Sequence, residues 1–338
     1  MTVSKIDDKD TWDTFIDESP SGLLFHKWDY LHLTAKHTGS TLLPYAVYNG
    51  DEIISLFPLF YRRIHGINAI FSPPPLTVIP HLGCVTSREF QGFKQSKKEF
   101  LLGMMAKEIR EEIQGLSPNY LSIAFVPEFR DIRHYLWDQC SPMVRYTYTI
   151  NLERPLEEIW KNFHSLLRKK LKKEEKAGLR LERSNDTATL HRLISDRYRD
   201  PSLAIPPIKR EYLDDLVRAY PDRISVYTLY DAEDEITAVV AAQEYKRFLL
   251  WVGAPKIETS HDGNAYLQWL LIQRAQAEGY RTFENMGANN PDLIFFKSKF
   301  NPDLRTYFEI VKKDTLGAFS EWAYLSFAKR LMMTTGRI

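Results

Sequence analysis

Apolar positions in this chain alternate between two periods, and the longest helical run lies in its second half. Leu156, Ile159, Trp160, Phe163, Leu166, Leu167 and Leu171 recur every three or four residues, predicting one amphipathic helix over 155–177 that Gly178 stops. Residues 179–183 alternate as a strand does, Asp186 is placed to cap a helix running to about Arg199, and Pro206-Pro207 leads into a helix over 209–219. Three β-branched and aromatic runs follow at 224–230, 236–244 and 248–252; the short polar breaks between them suit an antiparallel meander. A helix over 264–278 then presents Leu267, Leu270, Leu271 and Ala275 on one face, and Gly279 closes it. Residues 281–286 read as a strand, 293–300 as a short helical turn and 305–311 as a last strand.

The first half follows nearly the same order. Helices are predicted at 10–17 and 25–37, strands at 42–48 and 52–60, an irregular segment at Ser72-Pro73-Pro74-Pro75, then a helix at 96–114, a strand at 120–125, a helix at 129–138 and a strand at 145–152. The repeat is one of pattern, not of residues. With 338 residues available, two domains of roughly 150 residues each fit the length. The expected fold class is therefore α+β with mixed sheets, arranged as two tandem domains at 1–152 and 153–315, followed by a C-terminal helix at 316–338.

Charge narrows the partners. Lys and Arg total 45 against 44 Asp and Glu, a net charge of +1, so no global field drives the chain onto DNA. One local surface departs from that balance: Arg168-Lys169-Lys170, Lys172-Lys173 and Lys176 crowd the predicted 155–177 helix, only partly offset by Glu174 and Glu175. Such a face is either simply solvated or a contact for phosphates. Cys84 and Cys140 are the only cysteines and read as buried free thiols; the nine histidines are scattered without metal-ligand spacing. Neither a metal site nor a covalent nucleophile is expected. The N-terminus has no apolar core of a signal peptide, and no run nears the roughly 18 apolar residues that span a bilayer, so a cytoplasmic protein is expected.

The order strand, helix, helix, three strands, helix, strand, helix, strand resembles that of the GNAT acyltransferase fold. The tandem arrangement, the Trp28 region, the basic helix ending at Lys176-Ala177-Gly178-Leu179, and above all Leu293-Ile294-Phe295-Phe296-Lys297-Ser298-Lys299-Phe300 resemble the FemABX aminoacyltransferases and the FemAB-like branch of GNAT proteins. The resemblance covers almost the whole chain, and the Phe-Lys motif is its specific part. It implies that Phe296 and Lys297 lie at the transfer site, with Lys297 stabilising the charge that builds as an amine attacks an ester or thioester carbonyl; a fixed ammonium there favours the transition state. Without the resemblance, the same segment reads first as core aromatics flanked by snorkelling lysines. The resemblance also makes Arg197, in Asp196-Arg197-Tyr198-Arg199, an acceptor-binding residue, and places an N-terminal acceptor lysine at either Lys27 or Lys36.

Other residues could complete the site. A helix starting at Asp262-Gly263-Asn264 offers backbone N–H groups to an anion, making Asn264 a binding candidate. Coenzyme-A-dependent GNAT proteins carry a glycine-rich loop there, whereas this chain has Glu258-Thr259-Ser260-His261-Asp262-Gly263-Asn264, which favours a different donor. Trp251 either lines the cleft or packs in the core. Arg168, Lys169, Lys172 and Lys299 are candidates for donor or acceptor phosphates. Glu284 and Asn285 could orient the incoming amine, although strand alternation lets only one point into a cleft.

Together these features predict an acyltransferase that joins an aminoacyl or acyl group directly to a primary amine, with no tightly bound cofactor. The donor is expected to be aminoacyl-tRNA, the acceptor a phosphate-bearing cell-envelope or peptide precursor. Two alternatives stand: an acyl-CoA-dependent N-acyltransferase acting on an amino sugar or small amine, and a non-catalytic pair of GNAT folds that binds RNA or a glycan precursor. The aromatic and basic tail, Phe319 to Leu331, either packs on its own domain or makes peripheral contact with a membrane surface.

Overall fold

The computed structural model describes residues 1–198, 208–253, 257, 259–324 and 326, the side chains of Arg197, Tyr198 and Asp292 excepted. In chain order the first elements are β1 (Thr2–Lys5), α1 (Lys9–Glu18), α2 (Trp28–Thr38), β2 (Thr41–Asn49), β3 (Glu52–Ile64), β4 (Ile67–Ser72), β5 (Val85–Thr86), α3 (Arg88–Gly92), α4 (Gln95–Gly115), β6 (Tyr120–Ala124), α5 (Arg133–Trp137) and β7 (Ser141–Asn151). There follow α6 (Leu156–Asn162), α7 (Ser165–Glu175), β8 (Arg180–Ser184), α8 (Thr187–Tyr198), α9 (Arg210–Ala219), β9 (Ile224–Tyr230), β10 (Ile236–Glu244), β11 (Phe248–Gly253), α10 (Gly263–Ala277), β12 (Thr282–Asn285), α11 (Pro291–Lys297), β13 (Asp303–Lys313) and α12 (Thr315–Ala323). The chain divides into two compact units, Met1–Arg145 with Thr306–Arg337, and Tyr146–Arg305. The last strand and helix thus belong largely to the first unit, not to the end of a second domain at 315.

In the first unit the strands run β1-β2-β3-β4-β6-β13, with β5 pairing β3 off this path. Every neighbouring pair is antiparallel except β4 and β6. A parallel pair needs a crossover, and the chain supplies one through α3 and α4. Trp12 and Ile16 of α1, Tyr30 and Leu31 of α2 and Phe57 and Phe60 of β3 are fully buried, and the Trp12 indole N–H donates to the His26 carbonyl at 2.7 Å. Strands β1, β4 and β5 have no sequence expectation behind them: β1 and β5 are too short to show a period, and Ile67–Ser72 lies against the proline-rich segment.

The second unit repeats the scheme. Its strands run β7-β12-β11-β10-β9-β8, antiparallel throughout except for β11 and β12, which α10 connects. Burying a large apolar side chain contributes about 1.5–3 kcal/mol, and this core gathers Phe163, Leu167 and Leu171 with Leu267, Leu271 and Ile272 of α10, Phe248 of β11 and Phe283 of β12. The helix predicted over 155–177 is broken in two. Phe163 turns extended at ψ 147 and is only 2% exposed, its ring 5.3 Å from Trp269 and 5.2 Å from Phe300. The His164 amide is thereby freed from the helix and donates to the Lys299 carbonyl at 2.9 Å, while His164 Nδ1 caps α7 by accepting from the Leu166 amide. Leu166, assigned by periodicity to the apolar face, ends up 62% exposed.

Candidate active site

The Phe-Lys motif is positioned by the end of β12. Phe283 stacks on Phe248 at 5.5 Å and fixes the strand against its parallel neighbour β11. Beyond Asn285 the chain turns through Met286 and Gly287, whose φ of +93° lies in the region that glycine tolerates best. Asn289 ties the turn down: its Oδ1 accepts from the Tyr146 amide at 2.8 Å and its Nδ2 donates to the Tyr146 carbonyl at 2.9 Å. The Asn290 carbonyl then accepts from the Leu293 and Ile294 amides to start α11.

Along this short helix Phe296 packs against the core, its ring 5.9 Å from that of Phe300, whereas Phe295 is 79% exposed. Lys297 closes the helix and turns its Nζ back to donate to the Met286 carbonyl. A Cβ at position 287 would lie 3.1 Å from that Nζ, so glycine also provides the space for the lysine. Burial lowers the Lys297 pKa from 10.5 to about 7. A group poised there exists as both amine and ammonium at neutral pH, and can take a proton from an attacking nucleophile and return it to a leaving group. This differs from the permanently charged, cleft-surface lysine that the sequence suggested, because the turn at 286–287 and α11 take away much of its water.

Glu284 and Asn285 face opposite sides of β12, and both are already engaged. Glu284 is fully buried; its Oε1 accepts from Thr147 Oγ1 at 2.9 Å and its Oε2 from Arg247 at 2.8 Å. Asn285 Nδ2 donates to Gln268 Oε1 on α10 at 2.8 Å. These side chains tie β12 to β7, to the β10–β11 turn and to α10, leaving neither as a free amine-orienting group. Trp251 is 4% exposed and is the extra residue of a β-bulge, since Ala241 pairs with Val252 and Ala242 with Leu250. It belongs to the sheet interior and does not line an open cleft.

At the start of α10 the structure holds a group that the sequence reading passed over. Glu174 of α7 is fully buried, with Oε2 2.7 Å from His261 Nδ1 and Oε1 accepting from the Asp262 amide at 3.3 Å. Lys170 reaches Asp262 at 2.9 Å and Lys173 the Ser260 carbonyl at 3.4 Å. The protein's own carboxylate thus sits beside the helix terminus that could have received an anion, bonded to the amide of its capping residue. The signal was legible: Leu167, Leu171 and Glu174 follow four- and three-residue spacing, so the acid falls on the buried stripe. Gly263 has a packing reason, because a Cβ there would come within 2.5 Å of the Thr237 carbonyl oxygen. Asn264 follows, half-buried, in the first turn.

Of the basic face, Lys170 and Lys173 are spent on this loop, while Lys169 and Lys172 are exposed and make no ion pair or hydrogen bond among the described residues. Arg168 is half-buried, its Nε enclosed without a partner. Lys299 has an exposed side chain and uses its carbonyl to hold His164. The side chain of Arg197 lies outside the described residues. In the first unit, Lys27 is ion-paired with Asp17 at 3.0 Å and Asp13 at 3.5 Å, a structural role that leaves Lys36 as the other lysine near that place. Cys84 and Cys140 are buried free thiols. That unit also contains a cavity of about 330 Å³ whose basic side chains are already engaged: Arg110 with Asp138, Lys312 with the Asp138 carbonyl and Lys313 with Glu321. No helix among the described residues is long and apolar enough to cross a membrane.

Residues 161–297, from α6 to the motif lysine, match the family model described as an acetyltransferase (GNAT) domain. Across the chain, the fold is similar to that of FemX, at 14% identity over 91% of this chain and 97% of FemX, with a TM-score of 0.67. The fold is FemABX-like, with a GNAT-type domain at 161–297. L-PGS from Bacillus licheniformis is also similar (12% identity, 99% of this chain and 98% of that one, TM-score 0.55), as is a conserved protein of unknown function from Bacteroides thetaiotaomicron VPI-5482 (12%, 92% and 99%, TM-score 0.59). A comparison with curated proteins returns no match. The parallel pair β11–β12 with its crossover α10 falls inside the matched GNAT segment, and the β4–β6 pair with α4 repeats it in the first unit, giving the tandem GNAT-like, α+β architecture. Residues 161–297 thus match an acetyltransferase (GNAT) domain within a chain whose fold is similar to that of FemX.

Proposed function

We propose that this protein transfers an aminoacyl group from the ester of an aminoacyl-tRNA to a primary amine on a phosphate-bearing cell-envelope or peptide precursor. The observation that carries the reading is Lys297, enclosed by the turn at 286–287 with its pKa lowered to about 7. The acceptor nitrogen attacks the ester carbonyl carbon, a C–N bond forms and the bond to the ribose oxygen breaks. Lys297 as the amine takes the proton that the nitrogen sheds, and as the ammonium it stabilises the developing oxyanion and returns the proton to the leaving oxygen. Phe296 holds α11 against the core, so the lysine is aimed by packing.

The choice of donor is supported by Glu174. A diphosphate at the N-terminus of α10 would meet like charge from a buried carboxylate already bonded to His261 and the Asp262 amide. An ester donor attached to RNA does not need that terminus. A second reading, acyl-CoA-dependent acylation of an amino sugar or small amine, has the acetyltransferase description of the matched domain in its favour.

A donor screen with charged tRNAs and acyl thioesters, products read by mass spectrometry, decides between them. Transfer from aminoacyl-tRNA, lost by a hundredfold or more in Lys297→Met with the fold intact, is the expected result. Transfer from thioesters alone would overturn the donor, and wild-type turnover by Lys297→Met would overturn the site.

A further inference from the structure

Helix α12 of the first unit is turned inside out. Its inward side is small and polar: Gly317 lies against Asn119, where a Cβ would come within 2.0 Å of the carbonyl oxygen, and Glu321 accepts from the Tyr120 hydroxyl at 3.1 Å while pairing with Lys313. Its outward side is apolar. Leu316, Phe319 and Trp322 follow a spacing of three and are 48%, 62% and 55% exposed, the two rings 5.7 Å apart. A helix that serves only its own domain buries its apolar side, so a row of large apolar side chains held in water marks a surface that meets something else.

Cations flank this row. Burial raises the pKa of Tyr324, the residue that ends α12, and the Arg62 guanidinium opposes the rise, which sets that charge near the helix end. The turn between β3 and β4 stands by the helix start: Arg63 pairs with Asn68, the Asn68 amide donates to Asn119 Oδ1 at 2.9 Å, and Asn119 Nδ2 donates to the α12 cap, Asp314, at 2.8 Å. Arg63, Ile64 and His65 are exposed there, and neither Arg62 nor Arg63 has an ion pair or side-chain hydrogen bond among the described residues. The nearby acids are spent inward, Asp314 on the Gly317 amide and Asn119, Glu321 on Tyr120 and Lys313. Residues 325–338 add Lys329, Arg330 and Arg337 to the sequence and no acid.

Such a face suits the surface of an anionic bilayer, where aromatic and leucine side chains settle among the headgroups while Lys and Arg meet lipid phosphates. A second protein fits it less well. A stable protein interface buries about 800 Å² on each partner, from about 20–30 residues a side, whereas this row is three side chains on a convex helix. No helix among the described residues is long and apolar enough to cross a membrane, so the contact is peripheral. We propose that the outward face of α12, with the arginines of the β3–β4 turn beside it, docks on an anionic lipid bilayer, Leu316, Phe319 and Trp322 entering the interface and Arg62 and Arg63 meeting lipid phosphates. The proposal goes beyond the transfer reading and depends on neither its donor nor its acceptor.

The test is sedimentation of the full chain with sucrose-loaded vesicles of phosphatidylcholine, alone or mixed equally with phosphatidylglycerol. Wild type should bind the anionic vesicles, more weakly as salt rises. Leu316→Ser with Phe319→Ser should weaken that binding by about tenfold or more. Arg62→Gln with Arg63→Gln should weaken it by about fivefold per arginine on anionic vesicles and leave binding to neutral ones unchanged. Trp322 reports the place of contact: lipids brominated in their acyl chains should quench wild-type tryptophan emission, and Trp322→Phe should remove the quenching while the protein still sediments. Thermal unfolding of the Leu316→Ser, Phe319→Ser variant should match wild type, which separates lost docking from lost fold. Wild type that stays in solution would overturn the proposal, as would binding indifferent to Leu316 and Phe319, or quenching that survives Trp322→Phe and so comes from another tryptophan such as the exposed Trp137. A wild-type dimer that the Leu316→Ser, Phe319→Ser variant splits in sedimentation equilibrium would give the face to a second copy and overturn it too. Because neither donor nor acceptor is present, these results and those of the donor screen stand or fall separately.

Discussion

Lys297 should make the protein less stable at low pH than at high pH, in a way that one substitution isolates. Buried with its pKa at about 7 against 10.5 for an ordinary lysine, the side chain binds its proton more weakly in the folded state than in the unfolded one. Below pH 7 both states are protonated and the folded state bears the full cost of the buried ammonium. As pH rises above 7 the folded state releases its proton while the unfolded state keeps it, so stability rises until both are neutral above 10.5. At about 1.36 kcal/mol per pH unit between the two pKa values, the ceiling is about 5 kcal/mol; for a side chain that keeps some contact with water, about 2–3 kcal/mol is the expected size. Lys297→Met retains the packing volume and removes the titration. Urea unfolding of both proteins from pH 6 to pH 10 should show the variant more stable by that margin at pH 6, with the difference shrinking through pH 7–10. Other groups titrate in that range, but they do so in both proteins and cancel in the difference. A difference independent of pH would refute the burial argument. The activity profile supplies a second reading of the same group: if neutral Lys297 accepts the proton, the rate falls below about pH 7, whereas a lysine acting only as a fixed charge would lose activity above it.

Glu284→Ala, which removes the buried carboxylate that Arg247 and Thr147 donate to, should cost about 3–5 kcal/mol in urea unfolding; a loss below 1 kcal/mol would show that the pair is not structural. Gly263→Ala should be strongly destabilising, since its Cβ would come 2.5 Å from the Thr237 carbonyl oxygen, and an unchanged melting temperature would show that α10 can shift away from β10. Glu174→Gln, which keeps the shape and removes the charge, should bring inorganic pyrophosphate and coenzyme A into measurable binding by calorimetry where wild type shows none. Micromolar coenzyme A affinity in wild type would remove the case for Glu174 as a plug.

Much of the second unit was readable because its elements obey one period each. The strands β9, β10 and β11 and the helix α10 lie almost where alternation and three-to-four spacing put them, and the motif around Phe296 and Lys297 stood out by its resemblance to the FemABX pattern. The errors came where two apolar requirements compete. Residues 155–177 carry a continuous helical pattern, but Phe163 gains more by entering the cluster of Trp160, Trp269 and Phe300 than the helix loses in breaking. No local pattern carries that information, since Trp269 and Phe300 lie more than a hundred residues away.

Chemistry-bearing residues separated along the same line. Sequence by itself determined the α+β element order and the tandem repeat, because periodicity is a property of neighbouring residues; the lysine worth following came from a resemblance of its motif to a known family. Tertiary structure decided what each polar group is free to do. It spent Glu284 on Arg247, Asn285 on Gln268 and Lys27 on Asp13 and Asp17, set Glu174 against the start of α10, took much of the water from Lys297 and left Phe295 in it. A side chain's reactivity depends on its solvent and its charged neighbours, and both are fixed by residues distant in the chain.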